Sequence, residues 1–225
     1  MIVAIDGPAG VGKSSIARML AEKSTFTYLN SGSFYRAYTY LHQQKGRDVG
    51  DLAGVLSTAK ETHLRLVDGR LHADGIDIED KLRTKEVDSV VAQVSAYPPL
   101  RSYVNEQLKA IAQGEDMIVE GRDITTVVFP DAELKIYFDA KPEIRAERRF
   151  RQHPEGTTYE EVLAGVKARD EIDRNKAVGA LKQAEDALYI DTSYLTMEEV
   201  CEKVLSRLPQ FKELNRGHNE LYYKE

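Results

Sequence analysis

Cysteine is nearly absent from this chain of 225 residues. The single Cys201 excludes an internal disulfide bond and any zinc site built from cysteines. Because it lies in a stretch with helical periodicity, we expect a buried apolar side chain rather than a nucleophile. The five histidines lack metal-ligand spacing, and no Ser-His-Asp or Cys-His arrangement predicts a catalytic triad. Any chemistry must therefore depend on other side chains.

Long apolar runs and an excess of positive charge are also missing. No apolar run approaches the ~20 residues that a membrane-spanning helix needs. The net charge of -6 argues against a broad nucleic-acid-binding surface. The first apolar run begins directly after Met1, which leaves no secretion signal or transit peptide. We therefore expect a cytoplasmic, monomeric protein whose partners include neither membranes nor nucleic acids.

The most informative segment that is present is residues 7–14, Gly-Pro-Ala-Gly-Val-Gly-Lys-Ser, which fits the phosphate-binding pattern G-x-x-x-x-G-K-[ST]. It lies between an apolar run and a helical stretch, as the pattern requires. The glycines let backbone N–H groups point at phosphate oxygens at a helix N-terminus. Lys13 would reach the β- and γ-phosphates, and the Ser14 hydroxyl would ligate Mg²⁺. The residues predicted to bind a nucleoside triphosphate, ATP, are Gly7, Pro8, Ala9, Gly10, Val11, Gly12, Lys13, Ser14 and Ser15.

Short apolar runs alternate with helical patterns along the chain, which predicts an α/β fold. The five runs are residues 2–5, 27–29, 117–119, 134–138 and 188–190. Near-continuous apolar strands indicate a five-stranded parallel sheet flanked by helices on both faces. The polar residues that follow the runs are Asp6, Asn30, Glu120, Asp139 and Asp191. Since ligands bind beyond the carboxyl ends of such strands, we expect the site at that edge.

The gap between the second and third runs is too long for a simple crossover. Residues 64–78 alternate apolar and polar positions around two Asp-Gly turns, which predicts a small antiparallel sheet. Two helical segments follow, split by Pro98-Pro99. We therefore expect a core formed by residues 1–64 and 115–225, with an inserted region at residues 65–114.

Arginines in a protein of net negative charge need a local explanation. Arg36 follows the second run, near the expected ligand edge of the sheet, and Arg83 and Arg101 lie in the insert. One of Ser31 and Ser33 would cap the helix that carries Arg36. Capping does not explain the arginine, which we expect to face the ligand.

Arg122 and Asp123 follow the end of an interior strand, where charges are costly unless paired or bound to ligand. Arg122 can fork onto a phosphate, and Asp123 can accept hydrogen bonds from an exocyclic amine. The alternative is an internal arginine–carboxylate pair. Glu120, just before them, either orients a Mg²⁺-bound water or is a structural carboxylate.

Two further sets of charged residues have helical spacing. The first set, at i, i+3 and i+4, is Arg145, Arg148 and Arg149, which share one helix face. The second set is Arg169, Asp173 and Lys176. Such sets are most often solvated, but their concentration here indicates a mobile lid, at about residues 148–172, that closes over transferring phosphates. Phosphoryl transfer needs positive charge and in-line geometry rather than covalent help from the protein.

Several motifs in order make the chain resemble the bacterial cytidylate kinases, from Ile2 to about Leu205. The most specific is residues 121–132, Gly-Arg-Asp-Ile-Thr-Thr-Val-Val-Phe-Pro-Asp-Ala. The others are residues 5–14, Ser31-Gly32 with Tyr35-Arg36, Arg83-Thr84 with Glu86-Val87, Arg169-Asp170 with Asp173, and Asp186-Ala187 with residues 190–193. The resemblance implies a P-loop kinase fold with an inserted monophosphate-binding region and a short lid. It also implies Mg²⁺-dependent phosphoryl transfer from ATP to CMP and dCMP.

The resemblance further implies roles for single residues. Contacts with cytosine or its surroundings are implied for Ser31, Arg101 and Asp123. Binding of the acceptor phosphate is implied for Arg36 and Arg122, and contact with the sugar for Arg169 and Asp173. Binding of ATP from the side of the lid is implied for Arg145, Arg148 and Arg149. Arg83 and Lys176 are placed with the acceptor substrate, and the catalytic set is Lys13, Arg122, Asp123 and Arg148.

At four positions the chain departs from that family. Asn30 stands where the family usually has aspartate, Ala92 where a serine is common, Lys176 where arginine is usual, and Ala180 where proline is common. These departures motivate an alternative in which UMP or another small molecule is the acceptor. A second alternative, a regulatory GTP-binding switch, depends on the D-x-x-G pattern at residues 51–54, without the aspartate that would recognise guanine.

Overall fold

Two sheets organise the chain in the computed structural model, which describes residues 1–152 and 156–209. The strands are β1 (Ile2–Asp6), β2 (Thr27–Asn30), β3 (Leu64–Val67), β4 (Arg70–Ala73), β5 (Ile76–Asp77), β6 (Met117–Glu120), β7 (Leu134–Asp139) and β8 (Leu188–Asp191). The helices are α1 (Lys13–Glu22), α2 (Ser31–Gln44), α3 (Leu52–Glu61), α4 (Lys85–Val94), α5 (Pro98–Ala112), α6 (Pro142–Gln152), α7 (Tyr159–Asn175) and α8 (Met197–Leu205). A 3₁₀ turn covers Glu79–Lys81 and a π-helical turn covers Ile124–Val128.

The larger sheet is the predicted parallel one, with strand order β2-β6-β1-β7-β8. All five apolar runs form its strands, which confirms that prediction. Each strand extends one residue further than its apolar run and includes the polar residue that ends it. Because all five strands are parallel, these polar residues meet at one edge of the sheet.

Helices cover both faces of this sheet, because neighbouring residues of a strand point to opposite sides. On β1, Val3 and Ile5 pack on the side of α1 and α8, whereas Ala4 packs on the side of α2, α4 and α5. Cys201 of α8 is fully buried in the first of these layers, as expected of an apolar filler.

The smaller sheet is antiparallel, in the order β3-β4-β5, as the alternating pattern predicts. Asp68-Gly69 and Asp74-Gly75 form its turns, and all four residues have positive φ angles. Two successive residues with positive φ give the tight turn whose twist matches a two-stranded ribbon. Pro98 and Pro99 begin α5, where the missing N–H groups cost no helical hydrogen bond.

The insert shares its core with the main sheet. Leu71, Val87 and Leu100 of the insert lie in one buried cluster with Phe34 of α2 and Ala4 of β1. The predicted boundary at residues 65–114 therefore delimits a stretch of sequence rather than a separately packed body. This packing places α4 and α5 directly beside the ligand edge of the sheet.

The starts of two helices bear on sequence predictions. Asp51 is the N-cap of α3, where its carboxylate accepts a hydrogen bond from Gly54 N at 2.9 Å. The D-x-x-G pattern is thus part of a helix cap. The prediction that Ser31 or Ser33 caps α2 is wrong: Asn30 is the N-cap, without a side-chain hydrogen bond, and the Ser31 hydroxyl donates instead to Glu120 O at 2.9 Å.

Within residues 1–152 and 156–209, every helix is too short or too polar to cross a membrane.

Candidate active site

The glycine-rich loop between β1 and α1 adopts the conformation that its sequence predicts. A Cβ at Gly7 would collide with the carbonyl oxygen of Phe138, so the close approach of these two backbone segments requires glycine. Gly12, the N-cap of α1, has φ 95°, in the left-handed region that other residues avoid. The loop therefore directs its backbone N–H groups into the space in front of α1.

Lys13 is the first residue of α1 and is 5% exposed. Its ammonium donates to the carbonyl oxygens of Gly7 at 2.7 Å and Pro8 at 2.8 Å. Burial, with a smaller contribution from the nearby charge of Arg122, lowers the pKa of Lys13 to about 7. A lysine held in this way is available to a ligand that brings negative charge into the loop.

A large cleft, which we call the donor cleft, opens in front of this loop with a volume of about 770 Å³. Residues 9–16 form its floor. Its cationic lining residues are Lys13, Arg36, Arg83, Arg122, Arg148 and Arg149. One end is apolar, formed by Leu195, Met197 and Val200. No sequence motif singled out these three residues, because apolar side chains at helical spacing also indicate an ordinary core.

The three arginines of α6 that were predicted to share one face, Arg145, Arg148 and Arg149, are not equally accessible. Arg149 is exposed and lines the donor cleft, and Arg148 lines it while donating to Thr192 O at 2.5 Å. Arg145 is 1% exposed and does not line the cleft. Its guanidinium donates to both carboxylate oxygens of Asp170 and, at 3.0 Å, to Ala9 O. The structure therefore places Arg145 behind the loop, in a buried pair that joins α6 to α7.

A second cavity, the acceptor cavity, has a volume of about 180 Å³ and lies between the ends of β2 and β6 and the helices of the insert. It brings together nearly all the residues predicted to bind the acceptor: Ser31, Arg36, Arg83, Arg101, Arg122, Asp123, Arg169 and Lys176. The two cavities share lining residues, and these are Ser14, Arg36, Arg83 and Arg122. The cavities therefore meet at a cluster of cations in front of α1.

Asp173 lies beneath the acceptor cavity rather than in its lining. It is fully buried and holds three cations: Arg122 Nε at 2.9 Å, Arg169 Nε at 3.2 Å and Lys176 Nζ at 2.9 Å. Burial alone would raise the pKa of Asp173, but these cations outweigh it and hold the pKa well below its ordinary value. Burial also lowers the pKa of Lys176. Asp173 thus joins Arg122, which is 51 residues away in the sequence, to two cations that are close to it in the sequence, Arg169 and Lys176.

Arg101 and Asp123, which both line the acceptor cavity, form a buried ion pair. Arg101 also donates through Nη1 to Ser95 O at 2.8 Å, and its guanidinium lies 5.6 Å from the ring centroid of Tyr35. Its buried Nε has no hydrogen-bond partner among the described residues. A Cβ at Gly179 would overlap this pair, so the close approach of the backbone to the pair requires glycine there. The pattern of the sequence did not single out Ser95 or Gly179.

Arg36 is held in place by the insert. Its Nη1 lies 2.5 Å from an oxygen of Asp88 on α4 and donates to Leu82 O at 3.0 Å. Asp88 also lines the donor cleft. Arg83, on the same side, is exposed and lines both cavities.

Two carboxylates at the ends of strands fix the neighbouring backbone. Asp6 is fully buried and accepts hydrogen bonds from Ile124 N at 2.9 Å, Thr125 N at 2.7 Å and the Thr125 hydroxyl at 2.6 Å. Burial outweighs these bonds and raises the pKa of Asp6 to about 6. Glu120, which lines the acceptor cavity, accepts from the Tyr28 hydroxyl at 2.6 Å and from Asn30 Nδ2 at 2.8 Å.

Comparisons with known proteins agree with one another. A family model described as cytidylate kinase matches residues 3–210. The cytidylate kinase of Carboxydothermus hydrogenoformans is 42% identical over 213 residues, covering 91% of this chain and 96% of that protein. The cytidylate kinase of Rhodopirellula baltica is 41% identical over 208 residues, covering 91% of both chains. That of Borrelia duttonii is 38% identical over 210 residues, covering 91% of this chain and 96% of that protein.

Proposed function

This chain belongs to the cytidylate kinase family, and we propose how its two joined cavities perform the family's reaction. It is a nucleoside-monophosphate kinase with a P-loop kinase fold, and it transfers a phosphoryl group from ATP to CMP. dCMP is an acceptor as well, as is standard in the family. The observation that carries the proposal is that Arg36, Arg83 and Arg122 lie where the cavities meet.

The donor cleft binds ATP with its phosphates on the glycine-rich loop. Backbone N–H groups of residues 9–15 bind phosphate oxygens, and Lys13 leaves the carbonyl oxygens of the loop to pair with the β- and γ-phosphates. The adenine base packs on the apolar end formed by Leu195, Met197 and Val200, opposite Arg149. This arrangement places the γ-phosphate at the border with the acceptor cavity.

The oxygen atoms beside Lys13 fit Mg²⁺, which takes carboxylate, hydroxyl and phosphate oxygens as ligands. The Ser14 hydroxyl lies on the lining of both cavities, and the Glu120 carboxylate lies on that of the acceptor cavity. Ser14 would hold the ion, and Glu120, fixed by Tyr28 and Asn30, would orient one of its waters. When bound, Mg²⁺ neutralises charge on the β- and γ-phosphates.

The acceptor cavity binds the monophosphate with its phosphate at Arg36 and Arg122 and its base at Arg101 and Asp123. Arg169 and Lys176, which line the same cavity, contact the sugar. Ser31 supports the base end by holding the backbone of Glu120. Arg83 adds positive charge where the cavities meet, and the negatively charged phosphate of the acceptor replaces Asp88 as the partner of Arg36.

Two predicted ligand contacts are reassigned in this proposal. Arg145 supports the loop through Ala9 O and Asp170 rather than touching ATP. Asp173 positions Arg122, Arg169 and Lys176, and contact of its own with the sugar would require it to leave a fully buried place. Both residues therefore act through other residues.

The transfer itself depends on charge and alignment. An acceptor phosphate oxygen held by Arg122 faces the γ-phosphate held by Lys13, so that the attack is in line and no covalent enzyme intermediate forms. Arg148 and Arg149 approach from α6 and offset the negative charge that spreads over the transferred group. Closure of the lid, predicted at about residues 148–172, would exclude water that otherwise accepts the phosphoryl group. Part of that range, residues 153–155, lies outside the described residues.

A coupled assay of ADP formation, with and without Mg²⁺, tests the proposal on CMP, dCMP, UMP and AMP. We expect Mg²⁺-dependent turnover of CMP and dCMP. UMP turnover equal to that of CMP would favour the alternative acceptor, which the departures at Ala92 and Asn30 suggest. Arg122→Ala should impair both kcat and KM for CMP, whereas Arg174→Ala, an exposed position of α7 outside both cavities, serves as the control.

We further propose that the chain acts as a cytoplasmic monomer. Sedimentation of the purified protein with and without ATP would test the monomer, because a dimer would double the mass.

A further inference from the structure

Ser95 carries a hydroxyl group and lines the acceptor cavity, but it is not one of the predicted site residues. We propose that Ser95 is a specificity-determining residue, whose hydroxyl accepts a hydrogen bond from the exocyclic amine of the cytosine base. The inference rests on the proposed function and deepens it, because it states how the cavity distinguishes CMP from UMP.

Ser95 has the right location for such a contact. It follows the last residue of α4, is 8% exposed and lines the acceptor cavity. Its backbone oxygen accepts from Arg101 Nη1 at 2.8 Å, and Arg101 in turn pairs with Asp123. Ser95 does not line the donor cleft. It therefore lies beside Arg101, where the proposed function places the base of the bound nucleotide.

The existing hydrogen bond of Ser95 sets the polarity of its hydroxyl. The hydroxyl donates to Ala92 O at 3.0 Å, so its single proton is already used. What it offers to the cavity is a lone pair. A lone pair attracts the N–H groups of a 4-amino group, and it repels the carbonyl oxygen that uracil carries at the same position.

Arg101 completes the pattern. Its buried Nε carries an N–H group without a partner among the described residues. Arg101 lines the same cavity and contacts Ser95, so a hydroxyl acceptor at Ser95 and the guanidinium N–H groups of Arg101 lie side by side. Cytosine offers a donor at its amine and an acceptor at the adjacent ring nitrogen, whereas uracil offers the reverse. Cytosine therefore satisfies both protein groups. Uracil would place its carbonyl oxygen against the Ser95 acceptor and its ring N–H against the Arg101 donor.

Steady-state kinetics of Ser95→Ala tests the proposal, with Ser89→Ala as matched control. Ser89 lies on the same helix and donates in the same way to Glu86 O at 2.8 Å, but it is exposed and outside the cavity. We expect Ser95→Ala to lower kcat/KM for CMP about tenfold, since one base-specific hydrogen bond is lost, and to raise that for UMP, since the repulsion of the uracil carbonyl is removed. Ser89→Ala should change neither. Equal losses for CMP and UMP would mean a merely structural role and would overturn the proposal.

A CMP analogue with hydrogen in place of the 4-amino group gives a second test, which does not depend on how well the variant folds. Wild-type enzyme should use this analogue about tenfold less well than CMP, and Ser95→Ala should show little further loss. If the loss of kcat/KM caused by the variant and that caused by the analogue multiply, the hydroxyl and the amine do not contact each other. If the wild type discriminates CMP from UMP and Ser95→Ala discriminates equally well, the role of Ser95 is refuted while the proposed function stands. If the wild type does not phosphorylate CMP, both the role of Ser95 and the proposed function are refuted.

Discussion

The donor cleft and the acceptor cavity meet at Arg122, but they are built in opposite ways. The donor cleft has a floor of consecutive residues, 9–16, whose backbone conformation follows from the positions of the glycines. The acceptor cavity is assembled from β2, α2, α4, α5, β6, α7 and the segment that follows α7. One binding region is thus a property of the local sequence, and the other is a property of the tertiary structure.

The two regions also differ in how their cations are held. Lys13 of the donor cleft rests on neutral carbonyl oxygens, whereas most cations of the acceptor cavity are paired with carboxylates. The pairs are Arg36 with Asp88, Arg101 with Asp123, and Arg122, Arg169 and Lys176 with Asp173. The comparison indicates that single changes in the donor cleft affect chemistry first, and changes in the acceptor cavity affect binding and stability together.

The largest effect is expected for Lys13→Met. It removes the only side-chain charge directly on the loop, so kcat should fall by about three orders of magnitude or more, while the fold remains intact. Turnover of CMP and thermal unfolding would be measured together. Lys23→Met, at the exposed end of α1, is the control and should retain full activity. A loss of only two- to threefold would place Lys13 away from the transferred phosphate.

Asp173→Asn should lower the free energy of unfolding by about 3 kcal/mol, because it leaves buried cations without their counter-charge. Asp170→Asn on the same helix breaks the Arg145 pair outside the acceptor cavity. Both variants should be less stable, but only Asp173→Asn should raise KM for CMP more than KM for ATP. Equal effects on the two substrates would remove the distinction between the regions.

The pH dependence of Asp173 has a defined sign. Its pKa is lower in the folded protein than in the unfolded chain, so the folded state gains stability above the unfolded pKa and loses it as the pH falls through the folded one. Acid unfolding of the wild type should therefore be steeper below about pH 4 than that of Asp173→Asn. Circular dichroism against pH would show this difference, and coincident curves would contradict it.

A smaller effect is expected for Lys176→Arg. Arginine can bind a phosphate or Asp173 through two N–H groups, where lysine offers a point charge. KM for CMP should fall a few-fold, and KM for ATP should stay the same. An unchanged KM for CMP would count against a role of Lys176 in acceptor binding.

The smallest expected effect is the uptake of a proton when ATP binds. The pKa of Lys13 is lowered to about 7 in the free protein, and a bound triphosphate should raise it toward its ordinary value. At about pH 8, ATP binding should therefore take up a fraction of one proton. Calorimetry in buffers of different ionisation enthalpy would measure the uptake, and Lys13→Met should abolish it. Uptake that persists in the variant would assign the proton to another group.

Features that depend on local sequence were predictable. The strands, the Asp-Gly hairpins, the glycine-rich loop and the resemblance to the family were all read from contiguous residues. The partners of Arg145 and Arg101 were not, since Asp170 and Asp123 are 25 and 22 residues away and only the packed structure selects them. Helical spacing placed Arg145 with Arg148 and Arg149, but it does not tell which residues of a charged face are covered by another helix.

The residues that the sequence did not identify as functional have the chemistry of ordinary structural residues. In the sequence, Leu195 and Met197 are typical of residues in a hydrophobic core, and Ser95 is typical of a residue at the end of a helix, although all three line the cavities. The one signal available was Thr196 with Glu199, which form a capping box and locate the start of α8 beside the cleft. From that start, the preceding loop could have been assigned to the ligand edge.

Asp6 connects the two regions at their closest point. It is the last residue of β1, directly before the glycine-rich loop, and it binds the backbone of Ile124 and Thr125, directly after Arg122 and Asp123. One carboxylate thus fixes the separation between the segments that, in the proposed mechanism, position the leaving and the attacking oxygen. The reaction distance would then be set by this contact between β1 and the π-helical turn, so that the arginines of the surrounding helices could move during nucleotide entry and release without changing it.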